Sequence, residues 1–539
     1  MEKTVTMNAQ HHPGGLYLLS FTELAERFSY YGMRTILVLY LVAAFFGNAD
    51  ASMLYGSYTG LVYLTPLIGG FIADKFWGNR RSIIVGGIVM AIGQFLMFAS
   101  ACFVKQSIFS EGGAVSASVN NTLSLVLMLT GLVALIIGNG FFKPCISTMV
   151  GDLYDKGDRR TDSAFTIFYM GINIGSFLAP ILCGQFAKGG GWADPGAFKW
   201  GFFCAGVAMT LSVVVFWLGK NKLLVTPQGK PLGVAPKKIE PIISSAERKE
   251  PIVKNSPVRL WGCIIGAVIL AVLFSLHAEN FNDYISAVIY SASIALPVLI
   301  ITDKGLSKQE KLKIGVIFII ACVSIVYWAC YEQAGTSLTI FADRQCNRMI
   351  GKFEFPTTWL QSINPIAIVI LAPLMASLWD VLAKHNIEPS IPAKQGIGLI
   401  LMSVGYLIIA LGTRGLSDGA KTSMWWIWGL YIVHSISELC LSPIGLSMVN
   451  KLSPARFASL LMGVWFMSWA ASNVLAGKLA TYLPVAGEPI RSFIGIKISS
   501  LPAFFMIFAV IGGVAGIVLL VLCPRLKKMM GNVASDVAK

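Results

Sequence analysis

Four ionisable side chains, Glu23, Glu26, Arg27 and Arg34, interrupt an otherwise apolar stretch near the start of the 539-residue chain. On a helix advancing about 100° per residue they share an arc of about 140° with Tyr30 and Tyr31, leaving Ala25, Phe28 and Gly32 opposite. A guanidinium can grip an anion at two points, and a carboxylate whose neighbours change can take up and release a proton. Glu23 and Arg27 are one turn apart and could satisfy each other. A ladder of that kind gives no reason to bury the charges, and Arg34 has no carboxylate at the matching spacing.

The elements around this stripe belong to lipid. Hydrophobic residues make up 55% of the chain and charged residues 13%, against roughly a quarter charged in a soluble domain, and the mean hydropathy is +0.70. The sequence predicts an all-α membrane protein with fourteen spans, at 16–47, 52–74, 82–103, 122–149, 163–187, 199–219, 258–276, 284–302, 313–342, 355–379, 395–413, 423–449, 457–482 and 499–522. The polar start, Met1 to Gly15, is not expected to be a cleaved signal. Ten scattered cysteines show no ligand spacing and read as small core residues, so no metal or cofactor is expected.

If the N-terminus is cytoplasmic, 28 of the 42 Lys and Arg fall in loops on that side, including Lys75, Arg80 and Arg81, Lys156, Arg159 and Arg160, and nine between 220 and 259. The positive-inside rule then puts both termini in the cytoplasm. The same charges could suggest nucleic acid, but no basic, aromatic-bearing soluble face exists to bind it. The segment 220–257, with six prolines among lysines, reads as a cytoplasmic linker. The expected organisation is a six-helix bundle (1–219), the linker (220–257), two inserted helices (258–302) and a second six-helix bundle with a basic tail (303–539).

An ionisable group inside a span implies a partner or an aqueous cavity, because burying it in hydrocarbon costs several kcal/mol. Lys143 in span four, Glu332 in span nine and Glu438 in span twelve are such groups. With the stripe they total three cations and four carboxylates, and one proton could neutralise the excess. The cations lie in the first half of the chain and Glu332 and Glu438 in the second, so pairs across a central cavity could close when empty and yield to a ligand. A ligand with a carboxylate at one end and an amine at the other fits best. Two or three extended residues reach roughly 7–11 Å, which describes short peptides.

Several motifs resemble known families. Gly70, Asp74, Gly78, Arg80 and Arg81 in GFIADKFWGNRR resemble the GxxxDxxGxRR loop of the major facilitator superfamily, in which Asp74 could pair with an arginine at a cytoplasmic gate. ELAERFSYYG (23–32) resembles the ExxERFxYYG signature of the proton-coupled oligopeptide transporters. FYMGINIGSF (168–177), NGFFKPCISTMVGDLY, YWACYEQ, LQSINP and SELCLSPIGLSMV extend that resemblance over nearly the whole chain, inserted helices included.

The resemblance implies the major facilitator fold and proton-coupled uptake of di- and tripeptides by alternating access, in a bacterial inner membrane, with no enzymatic activity. It implies that Arg27 and Lys143 hold the peptide carboxylate and that Glu438, Asn173 and Asn364 receive the amino end. Arg34 with Glu332, and Lys143 with Glu438, are the implied gating pairs; Glu23 and Glu26 are the proton-linked carboxylates, with Glu332 an equal candidate. Tyr30, Tyr31, Tyr63, Trp328 and Trp465 are the implied aromatic wall.

Two departures qualify this. None of the five histidines lies in span two, where mammalian members use one, so carboxylates must carry the proton; His434 reads as a hydrogen-bonded core residue. Trp469, one turn after Trp465, stands where some relatives carry a smaller residue and is expected to narrow a side-chain pocket. The short 414–423 loop leaves no room for the external domain of animal relatives, and a monomer is expected. The nearest rival is a relative carrying another anion such as nitrate, which loss of the ExxER carboxylates would favour; they are present. No nucleophile with a base suggests an enzyme, and no repeated filter suggests a channel.

Overall fold

The computed structural model describes residues 11–104, 121–155, 158, 160–187, 194–235, 257–416, 420–454, 457–485 and 489–531. Inside a bilayer the backbone has no water to bond, so an apolar run of span length satisfies its own amides as a helix. Among the described residues this yields fourteen long helices: α1 (Gly14–Ala44), α2 (Asn48–Ile72), α3 (Asn79–Phe103), α4 (Thr122–Gly151), α5 (Arg160–Ala187), α6 (Lys199–Leu223), α7 (Pro257–Ser275), α8 (Phe281–Ile301), α9 (Lys308–Tyr331), α11 (Ile363–Lys384), α12 (Ile391–Gly412), α13 (Trp425–Leu452), α14 (Ala458–Ala480) and α15 (Leu501–Met530), plus a short α10 (Ser337–Arg344). Ten spans among them are long and apolar enough to cross a membrane on length and composition alone. The chain is a multi-pass, all-α membrane protein. Three of the six prolines and four of the seven lysines of the expected linker lie in 236–256, outside the described residues, as do Lys156 and Arg159.

One expected span is not continuous. The sequence predicts a single helix over 313–342, whereas α9 ends at Tyr331, a 3-10 turn covers Glu332–Gly335, and α10 follows. Gly335 lies so close to the Tyr55 ring of α2 that a Cβ there would overlap it. The break frees backbone groups at membrane depth, and the Gln333 amide takes up the Ala329 carbonyl (3.1 Å) while tying the turn to the Ala476 carbonyl of α14 (3.0 Å). Irregular backbone at this depth is tolerated where protein or a cavity surrounds it.

α1 packs on α5 and α6, α3 on α4 and α6, and α2 on α4; in the second half α12 packs on α13 and α15, α9 on α14 and α15, and α11 on α13. The two groups meet where α2 lies against α14 and α5 against α11, and α8 lies over α2 and α14. Glycines set the first seam: a Cβ on Gly56 would stand 2.9 Å from the Gly477 Cα and 2.7 Å from the Asn473 carbonyl oxygen. Small residues let two backbones approach this closely where lipid offers no hydrophobic drive to associate. At the second seam Trp359 Nε1 donates to the Ile181 carbonyl (3.2 Å) and the Ser362 hydroxyl to the Phe177 carbonyl (2.8 Å). All these contacts lie toward the end of the molecule that carries the α1–α2 connection.

At the opposite end α2 runs into a π-helical turn, Ala73–Trp77, and Gly78 turns the chain at φ +74°. The segment after α6 folds back here, with the Arg80 amide donating to the Gly233 carbonyl (2.8 Å) and its guanidinium to the Leu224 carbonyl. Asp74 is exposed, and among the described residues no ion pair joins it to an arginine. The Asp–Arg pairing expected from the loop is absent in this state because Arg80 is engaged by the α6 extension and Arg81 stacks on Trp77, 5.8 Å from its ring centre.

Candidate functional site

Between the two groups of helices lies a cavity of about 310 Å³. Arg27, Tyr31 and Arg34 on α1, Tyr63 on α2, Lys143 on α4 and Asn173 on α5 line one side; Trp328, Tyr331 and Glu332, Asn364 on α11, Glu438 on α13 and Trp469 and Asn473 on α14 line the other. The stripe on α1 faces inward because its polar arc is the one α5 and α6 leave uncovered. Gly175 of α5 packs under it, where a Cβ would sit 2.5 Å from the Leu24 carbonyl.

Arg27 sits between two carboxylates, 2.7 Å from Glu23 and 3.0 Å from Glu26. Both glutamates lie behind Arg27 and do not border the cavity. Glu26 is fully buried, and the Asn139 amide, one turn before Lys143, donates to it at 3.4 Å. Arg34 and Glu332 form a buried ion pair across the two halves, and Arg34 Nε also donates to the Tyr55 hydroxyl. The Thr35 hydroxyl reaches Gln361 (3.1 Å) at the same level. Buried pairs linking the two groups of helices close the cavity toward the α1–α2 end.

Lys143 and Glu438 are not joined by an ion pair here. The Lys143 ammonium lies over the Tyr63 ring, 4.1 Å from its centre. The Glu438 carboxylate instead accepts from the Tyr331 hydroxyl (2.7 Å) and the Asn364 amide (3.1 Å). The site is therefore bipolar: an ammonium with no carboxylate bound to it among the described residues on one wall, and a carboxylate held by neutral donors on the other.

Two of the expected wall residues stand elsewhere. Tyr30 is buried edge-on to Tyr31, its ring centre 6.0 Å from the Arg34 guanidinium, and does not border the cavity. Trp465 is buried against Gly445 of α13, where a Cβ would clash with its ring. Trp469, one turn on, takes the cavity-facing place, edge-on to Tyr63 at 5.3 Å and 5.1 Å from Trp328. His434 is buried beside Tyr406, with a ring nitrogen 3.2 Å from the Met402 carbonyl, and lies off the cavity.

Sequence reasoning did not single out Tyr331, Tyr55, Asn139 or Gln361. Tyr331 was detectable as the residue one turn after Trp328 on the same face, and Asn139 as the residue one turn before Lys143. Tyr55 and Gln361 act across the seam between halves, which no spacing within one helix reveals. Among the described residues no cluster of three or more potential metal ligands occurs.

Residues 80–491 match the family model PTR2, the POT family. The chain is 30% identical over 536 residues to the peptide transporter YePEPT of Yersinia enterocolitica, covering 97% of this chain and 96% of that one. It is 32% identical over 540 residues to the di-/tripeptide transporter of Lactococcus lactis, covering 97% of each. A crystal structure of a peptide transporter POT, a Glu-to-Gln mutant in complex with alafosfalin, superposes with a TM-score of 0.76 at 29% identity over 96% of both chains. A POT family transporter in complex with 5-aminolevulinic acid gives 0.73 at 27% identity, over 96% of this chain and 97% of that one. A bundle of membrane helices in two packed groups, a charged cavity at their seam and matches over nearly the full length agree: this chain is a transporter of the POT family.

Proposed function

We propose that the protein carries di- and tripeptides into the cell together with protons, by alternating access in a bacterial inner membrane with both termini cytoplasmic. The observation that carries this reading is the bipolar cavity, with Lys143 and Arg27 on one wall and Glu438, seated on Tyr331 and Asn364, on the other. A peptide carboxylate draws Lys143 off the Tyr63 ring and borders Arg27, while the peptide amine takes the Glu438 carboxylate. Neither pole needs an ion of its own. The division into an N-terminal bundle (1–219), a linker (220–257), two inserted helices (258–302) and a C-terminal bundle (303–539) supplies the two bodies that rock.

In this scheme the state described is closed at the outer face by Arg34–Glu332 and by the α2–α14 seam, and opens toward the loop bearing Asp74. Protonation of Glu23, Glu26 or Glu332 releases Arg27 or Arg34 from its carboxylate partner, which couples the proton to the ligand and to the outer gate. The test is uptake of a labelled dipeptide into proteoliposomes with and without an inward proton gradient. Gradient-driven accumulation is expected; accumulation of nitrate, with no accumulation of dipeptide, would overturn the peptide reading.

A further inference from the structure

A second hollow, of about 480 Å³, opens on the outer flank of the bundle between α5, α11 and α13. Phe177 and Ile181 of α5, Ile366 and Ile370 of α11, and Trp428 and Ile432 of α13 form its walls. It lies at membrane depth beside the substrate cavity, with α11 as the partition: Asn364, Pro365 and Ile368 face the cavity, and Ile363, Ile366 and Ile370 face the hollow. Ile366 and Ile370 are 44% and 60% exposed, so the hollow is open to the bilayer. Of the polar side-chain groups on its walls, the Ser362 hydroxyl donates to the Phe177 carbonyl and the Trp359 indole to the Ile181 carbonyl, which leaves the buried Trp428 indole N–H as the one donor without a partner. A bound water needs two or more polar partners, and a single buried donor in an apolar space at this depth does not supply them.

We propose that this hollow is a binding site for one acyl chain of a phospholipid, held as a wedge between the two halves. The two halves supply opposite walls, α5 from the first and α11 and α13 from the second. The chain therefore buries apolar surface on both halves at once in the arrangement seen here, and loses one wall when they rock apart. A ligand that favours one arrangement shifts the population toward it. Its place behind α11 also puts the wedge on the back of the helix that presents Asn364 to Glu438. Nothing in this site depends on which substrate the cavity carries.

The test uses the full chain in nanodiscs containing a phospholipid with a photoreactive diazirine in its acyl chain, followed by peptide mapping. Several-fold more adduct is expected on Ile366 and Ile370 than on Val268 and Val272, which face lipid on α7. That excess should disappear when Ile366→Trp fills the hollow, and likewise with Ile370→Trp should the first variant fail to fold. Labelling no higher than on α7 means ordinary lipid contact and overturns the proposal, as does an excess that survives in the filled variants.

Discussion

Replacing Glu332 by Gln tests the proposed outer gate directly. Arg34 and Glu332 are 9% and 5% exposed, so the pair is screened from water, and the Tyr55 hydroxyl is the other partner that Arg34 keeps. Removing one partner of a buried pair costs about 3–5 kcal/mol because the remaining charge is left uncompensated. The amide of Gln recovers about 1 kcal/mol as a neutral hydrogen bond. A net loss of about 3 kcal/mol, confined to the arrangement in which the pair is closed, shifts the equilibrium toward the outward-open arrangement by about two orders of magnitude. Spin labels at Asp50 and Lys421, two exposed positions near this face on opposite halves, report it: Glu332→Gln should move the distance distribution to a longer separation. Replacing both partners together, Arg34→Met with Glu332→Leu, should restore the short one, since an apolar pair of similar volume is often neutral. A distribution unchanged by Glu332→Gln would refute the assignment of this pair as the gate.

Three further outcomes are expected. Glu26→Gln should abolish gradient-driven accumulation of dipeptide while sparing exchange between equal pools, and intact accumulation would remove Glu26 from the proton path. Tyr331→Phe takes one of two donors from the Glu438 carboxylate; a hydrogen bond to a charged group contributes about 1.5–3 kcal/mol, so the KM for dipeptide uptake should rise about tenfold or more, and an unchanged KM would show that the bond does not serve binding. Gly56→Leu drives a side chain into the Gly477 backbone and should leave peptide binding from outside while stopping uptake; uptake at the wild-type rate would show that the α2–α14 seam does not have to close.

Much of this architecture was legible because lipid imposes a simple rule: an apolar run of span length becomes a helix. The stripe on α1 was legible for a related reason, since charges at helical spacing in hydrocarbon must share a polar space. What escaped was whatever depends on contact between helices distant in sequence. The break after Tyr331 brings Gly335 against the Tyr55 ring of α2, where only a glycine fits, and neither residue alone signals it. Trp465 and Trp469 are one turn apart and equally apolar, so spacing puts both on one face; the neighbouring Gly445 takes in the first and leaves the second to the cavity. The Asp–Arg pair expected at Asp74 is not formed in this arrangement because Arg80 is claimed by a carbonyl from the segment after α6, more than a hundred residues on.

Lys143 bears on the order of events during capture. An ammonium resting on an aromatic face is held by about 1–2 kcal/mol when partly desolvated, and leaving that face uncovers no opposing charge. Arg27 is clasped by two carboxylates and can turn to a newcomer only by weakening both. An arriving anion therefore meets Lys143 first, over a low barrier. In the proposed cycle Arg27 is recruited later, when a proton loosens its hold on Glu23 or Glu26. On that proposal the Tyr63 ring is a perch for Lys143, first contact is fast and reversible, and commitment waits for the proton.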